Sequence, residues 1–203
     1  MGSRDVLTVK LSYFEQFEDY KLTAINARPT RKDYMSIEGA SSPGEFGTLL
    51  RHIFEPESRV GFTWDHWTVL RKRPAHVYRF QVPPQRSHYV LEFETTSGHA
   101  RAAAGTHGYV YVDRETRMIV RLVREADSLP ANFPIQRASS FVDYGFTDVG
   151  GRPALLPLRA GLIMQYSKLL TRNEVFFESY RKFTAEAAIS FGDPDAGKTP
   201  PKP

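Results

Sequence analysis

The sequence predicts a mainly β (α+β) domain: a large curved antiparallel sheet, or half-barrel, of about ten strands with one short helix packed on its concave face. Three observations predict it. Short segments rich in Val, Ile, Thr, Tyr and Phe recur at near-regular spacing, mostly separated by tight turns. Within several of them apolar residues alternate with Arg and Glu, the two-residue period of a sheet solvated on one side. Aromatic residues make up 13% of the chain, which suits strands better than a helical bundle.

Residues 6–14 and 19–27 read as two strands joined by the polar link 15–18, with Tyr20, Leu22 and Ala24 on one side of the second. Residues 26–40 carry Pro29 and Gly39 and read as a loop, with one further short strand near 34–37. Ser42-Pro43-Gly44-Glu45 then forms a capping box, with Pro at the first helical position and Glu three residues after the cap. Phe46, Leu49, Leu50 and Ile53 recur at i, i+3, i+4 and i+7, one apolar stripe on a short helix. Pro56 disfavours helical geometry at Glu55 and ends it.

From residue 60 onward the pattern is β. Phe62 and Trp64 share a face, and the alternation slips at Asp65-His66-Trp67; a bulge there returns Trp67 to the face of Trp64. After a turn at 71–74, Tyr78, Phe80 and Val82 alternate with Arg79 and Gln81, until Pro83-Pro84 breaks the strand. Over 88–95, Tyr89, Leu91 and Phe93 oppose His88, Glu92 and Glu94, and residues 98–105 read as a small-residue loop around Ala102-Ala103-Ala104. Residues 107–112 and 118–126 read as a hairpin across Asp113-Arg114-Glu115-Thr116, and 136–146 and 154–164 as another, turned at Gly150-Gly151. Residues 173–183 and 187–191 end the folded part. The organisation expected is an added start over 1–4, with any export signal lost upstream of it, a single β-rich half-barrel domain over 5–191, and a disordered Pro/Gly-rich tail over 192–203.

The charge excess is small, 27 Lys and Arg against 23 Asp and Glu, and Arg71-Lys72-Arg73 is its one tight run. A nucleic-acid surface combines a basic stripe with stacking aromatics on one face, whereas here charges and rings alternate onto opposite faces. No nucleic-acid partner is expected. No apolar stretch approaches the ~18–20 residues of a membrane helix, so an integral membrane protein is not expected either. With no cysteine, thiol catalysis, thiolate zinc sites and disulfides are excluded.

No cofactor or metal is expected, because the six histidines form no H-E-x-x-H pair or ligand cluster. Residues 192–199 match a phosphate-loop pattern, but Pro200-Pro201 forbids the helix that the chemistry needs and two Asp would repel phosphate. No G-x-S-x-G nucleophile elbow occurs. Asp65-His66 beside two Trp reads as a bulge with a hydrogen-bonded histidine, and His99 and His107 flank the Ala-rich loop. Glu92 and Glu94 lie ~7 Å apart along one strand face, a spacing near that of glycosidase carboxylates. They are expected instead to pair with Arg79 or Arg121. The chain is therefore read as a non-enzyme, although His66 and His107 leave hydrolysis as a third reading.

A sheet this wide leaves apolar surface that one helix cannot cover. Phe62, Trp64, Trp67, Tyr78, Phe80, Tyr89, Leu91, Phe93 and Tyr144 fall on successive strands and are expected to share one face. They either pack a core or line a concave site for a lipid or other apolar small molecule. In the second case Phe46, Leu49, Leu50 and Ile53 form a helix that gates or plugs the site. The alternative from another class is a filled core, with strand edges or an Arg-rich rim that bind an envelope protein partner as an interaction or sensor module.

The order of elements, strands then one capped helix then a long antiparallel meander, resembles the periplasmic lipoprotein carriers of the LolA/LolB-like superfamily. The stretches Tyr111-Val112-Asp113-Arg114-Glu115-Thr116, Leu129-Pro130-Ala131-Asn132-Phe133-Pro134 and Val142-Asp143-Tyr144-Gly145-Phe146 resemble a family of uncharacterised exported bacterial proteins. Val149-Gly150-Gly151, Leu155-Leu156-Pro157 and Tyr180-Arg181-Lys182-Phe183 extend that likeness over most of 5–191. The resemblance implies an unclosed barrel, a helical lid over a cavity for acyl chains, and a periplasmic or cell-envelope location. The carriers have more helix on the N-terminal side than this sequence shows.

Overall fold

The computed structural model describes residues 4–15, 17–37, 47–95 and 98–182. Among them, twelve strands form three antiparallel sheets around one α-helix. The first sheet joins β1 (Leu7–Phe14), β2 (Phe17–Ile25) and the two-residue β3 (Arg28–Pro29). Helix α1 (Thr48–Phe54) follows. The large sheet has seven strands in the order β12-β11-β10-β9-β8-β5-β4. Its members are β4 (Gly61–Leu70), β5 (Arg73–Val82), β8 (Gly105–Asp113), β9 (Ile119–Asp127), β10 (Ile135–Asp148), β11 (Pro153–Tyr166) and β12 (Leu169–Phe176). A separate hairpin, β6 (Val90–Thr95) with β7 (Gly98–Ala103), leaves the sheet after β5 and returns at β8. β4 and β12 do not pair, so the sheet is open, a half-barrel and not a closed barrel.

The expected meander is present, but it is divided among three sheets. Residues 98–105 are not a loop: Val90 to Thr95 pair with Ala103 to Gly98, and the strand partner overrides the weak β propensity of alanine. Residues 34–36 form a 3-10 turn in place of the expected short strand. The last strand starts at Leu169, earlier than expected, because a tight turn through Ser167 in a left-handed conformation follows β11 directly. Residues 187–191, the tail 192–203 and residues 1–3 lie outside the described residues, as do Phe46 and the capping box 42–45.

The start of α1 is capped from another element. Glu18 on β2 accepts hydrogen bonds from the backbone N–H of Gly47 (2.9 Å) and Thr48 (2.8 Å), which supplies negative charge to the helix start. Burial opposes that charge, but the Tyr20 hydroxyl and these two amides outweigh it and hold the Glu18 carboxyl below its usual range. The helix ends as the sequence predicts, with Glu55 extended before Pro56.

Side chains on the two faces of the sheet follow its register. One row of directly paired residues, Trp64–Tyr78–Val110–Leu122–Val142–Ala160–Val175, crosses all seven strands. Leu49 and Ile53 of α1 pack on its middle, joined by Phe80, Val82 and Tyr144, to make the main core. The β6–β7 hairpin closes a second core, in which Tyr89 and Leu91 meet Phe133, Ile135, Ala138, Leu162 and Met164. The opposite face is ionic and only partly solvated, with Ala75, Val77 and Asp113 buried on it. There Arg121 makes a bidentate pair with Asp143, and Phe141 lies between the guanidiniums of Arg121 and Arg159.

Candidate functional site

The site is the concave face, and it has a closed centre and an open flank. At the centre Leu49 and Ile53 are 2% and 3% exposed, and Phe80 and Tyr144 lie buried beneath them. Leu50 packs on the same cluster and is half-buried. Beyond the helix, β4 presents Phe62, Trp64 and Trp67 at 40%, 50% and 55% exposure. The register shifts between Trp64 and His66, which sets Trp67 opposite His76 and on the face of Trp64, as the slipped alternation predicts. The rings form two adjacent clusters along β4. Phe54 at the end of α1 stacks on Phe62 at 5.0 Å, Trp64 meets Trp67 edge-on at 6.2 Å, and Trp67 lies 4.0 Å from the ring of His76.

The predicted residues therefore do not share a single open wall. Phe62, Trp64 and Trp67 line the open flank, with Tyr78 half-buried beside them. Phe80 and Tyr144 belong to the core under α1, whereas Tyr89, Leu91 and Phe93 belong to the second core, the last two on the separate β6–β7 hairpin. The separation follows from β6–β7, whose excursion between β5 and β8 is not visible in residue alternation.

A polar group that the sequence reading passed over lies between the two cores. Arg124 on β9 shares its face with Leu122 and Ala126 and is 7% exposed. Its guanidinium lies 3.6 Å from the centre of the Tyr89 ring, and its Nε donates to Ser140 Oγ at 3.3 Å. No carboxylate among the described residues forms an ion pair with it. The signal was present in the sequence: Arg124 sits at the apolar parity of its strand. Near it, His52 on α1 lies 5.1 Å ring to ring from His88, which pairs with Glu55 at 3.2 Å. Burial lowers the His52 pKa; Glu55 opposes that shift, and His88, Arg51 and Arg124 add to it.

The competing polar candidates are at the surface. His66 Nδ1 lies 2.6 Å from Asp65 Oδ2, a hydrogen-bonded pair at the bulge with the histidine half-exposed. Glu92 pairs with Arg101 on β7, not with Arg79 or Arg121, because β6 is not in the large sheet. His107 lies 3.7 Å from Asp127. The side chains of Glu94 and His99 lie outside the description. Among the described residues no group of three His, Asp or Glu is placed to hold a metal ion. No helix among them is long and apolar enough to cross a membrane. A depression at the β2–β3 turn, lined by Ile25, Asn26, Arg28, Pro29 and Thr30, is set apart from the aromatic clusters. Compared with protein-family models, curated proteins and solved structures, the chain matches none.

Proposed function

We propose that the protein binds a lipid or another apolar ligand without chemical turnover, along the open flank of its concave face between α1 and β4. The observation that carries this reading is the exposure of two neighbouring ring pairs, Phe54 with Phe62 and Trp64 with Trp67, along the β4 flank. Clustered exposed aromatic surface is costly to solvate and marks a binding surface. In this reading α1 is a plug. Leu49 and Ile53 supply apolar contacts that an acyl chain replaces when it enters from the β4 side. Carriage of a lipid or lipoprotein in the bacterial envelope is the role that the resemblance to the lipoprotein carriers implies.

A second reading has one observation in its favour. Burial of Leu49 and Ile53 leaves the centre of the trough filled, as an interaction or sensor module with no ligand requires. Native mass spectrometry of the purified chain, followed by organic extraction and lipid analysis, separates the two. A co-purifying acyl species that is lost in Trp64→Asp supports the ligand reading. A clean apo mass, with no binding of a fluorescent fatty-acid probe, overturns it and leaves the interaction module.

A further inference from the structure

We propose that Arg124 receives the anionic group of the ligand, so that the protein selects anionic amphiphiles, an acyl chain ending in a carboxylate or phosphate, over neutral lipids. The proposal rests on the apolar-ligand reading and names its substrate class. A guanidinium stays charged under all ordinary conditions, and a buried charge without a counter-ion is costly to retain. Elsewhere the sheet neutralises its guanidiniums: Arg73 by Asp113, Arg121 by Asp143 and Arg159 by Glu174. Among the described residues, Arg124 is the buried guanidinium of the sheet without a carboxylate partner. Its contacts among them are one long hydrogen bond to a serine and the face of Tyr89, which leaves the Nη fork for a bidentate anion.

Among the described residues the surroundings contain no substitute. Glu55 is engaged by His88 and Ser58, Glu18 by the start of α1, and Glu125 by Arg137 on the opposite face. The residue opposite Arg124 on β8 is Gly108, which contributes no side chain. Arg124 also lies on one cross-strand row with Phe62, through Gly108 and Phe80. Three strand spacings separate the two, about 14 Å, which an acyl chain spans. A head at Arg124 therefore places the tail at Phe62 and Trp64, over the ground that α1 occupies.

The test compares a fluorescent fatty acid bearing a free carboxylate with its methyl ester, each titrated into the full chain. The wild type is expected to prefer the acid by about tenfold or more. Arg124→Met and Arg124→Gln should lose that preference yet keep their affinity for the ester, and Arg124→Lys should restore part of it. A matching fatty-alcohol phosphate, added as competitor, distinguishes a carboxylate site from a phosphate site, and preferential displacement by either anion supports the proposal. Equal binding of acid and ester by the wild type overturns the role of Arg124 while the apolar site stands. Loss of ester binding in both neutral variants also overturns it, because Arg124 then serves the scaffold. Binding of neither probe by the wild type overturns the ligand reading itself and this proposal with it.

Discussion

Trp64 and Val175 stand at opposite ends of one row of paired residues across the seven-stranded sheet, and both are exposed. Between them Val110, Leu122, Val142 and Ala160 are buried. A seven-residue helix is ~10 Å long, whereas seven strands span roughly 29 Å. The helix covers the middle of the concave face and leaves its margins open, and the β4 margin is the one that carries the aromatic clusters.

That placement supplies an intrinsic probe. Trp64 and Trp67 are the two tryptophans of the chain, and both lie on the open flank. Ligand entry should shift tryptophan emission to shorter wavelength and shield it from a soluble quencher. Trp64→Ser and Trp67→Ser should change stability by no more than ~0.5–1 kcal/mol, since each ring is half-exposed, and should weaken probe binding severalfold. Unchanged emission on saturation with a ligand that binds would place the site elsewhere.

The plug makes a different prediction. Leu49→Ala removes a fully buried side chain from the main core and should cost about 3 kcal/mol in a urea titration. Leu50→Ala, half-buried on the same helix, should cost ~1 kcal/mol. If α1 competes with ligand for the trough, Leu49→Ala also raises affinity for an acyl probe, because the closed state it must displace is weakened. A Leu49→Ala variant that is destabilised with no gain in affinity would separate the helix from the binding site.

Sequence alternation revealed most of this face, because a large antiparallel sheet writes its two faces into residue parity. The bulge at Asp65 was legible in that way, and so was the turn at Gly150-Gly151, where both residues take positive φ. The departure of β6–β7 was not. Tyr89, Leu91 and Phe93 alternate as well as any strand of the large sheet does, and it is the direct pairing of β5 with β8, past β6 and β7, that decides which sheet each joins. Arg124 was legible by parity, yet a basic residue in a basic chain reads as rim. Its burial depends on Tyr89 and α1 arriving from elsewhere.

Two glycines test how tightly the sheet is built. A Cβ at Gly161 would fall 2.3 Å from the Phe141 ring, its direct cross-strand neighbour, whereas one at Gly108 would fall 1.9 Å from the backbone oxygen of Val123. A ring can tilt away; a paired strand cannot. Gly161→Ala should cost ~1–2 kcal/mol and disturb the stack between Arg121 and Arg159. Gly108→Ala should cost more than ~3 kcal/mol and fail to give a cooperative thermal transition. Comparable melting of the two variants would contradict the difference between side-chain and backbone obstruction.

The β4–β5 turn holds two neighbouring residues whose replacement should act with opposite sign. Arg71 and Lys72 both take positive φ, 50° and 66°, a conformation that glycine adopts without strain. Lys72→Gly should therefore stabilise the chain by about 1 kcal/mol. Arg71→Gly relieves the same strain but deletes hydrogen bonds from Arg71 Nη2 to the carbonyls of Val120 (2.8 Å) and Tyr144 (2.7 Å). It should be neutral or destabilising, and a thermal melt of each variant decides the order.

Acid should loosen the β8–β9 hairpin first. Asp113 Oδ1 accepts from the backbone N–H of Glu115 and Thr116 and from the Thr116 hydroxyl, while Arg73 bridges both oxygens. The Arg73 guanidinium, then the Thr116 amide, hold the Asp113 carboxyl far below the usual carboxylate range. A carboxyl depressed in the folded state stabilises fully above its unfolded value, near 3.8, and loses that contribution as pH falls below it. Stability should therefore stay level in this respect from pH 7 to about 5 and decline below about 4. Glu18, depressed in the same direction, adds to the decline. Asp113→Asn keeps the shape but not the charge; it should lose about 1–2 kcal/mol at neutral pH, limited by the exposure of Arg73 to solvent, and show a shallower acid slope. If the acid slopes of the two proteins coincide in urea titrations at pH 7 and pH 3, Asp113 is not the group that acid releases.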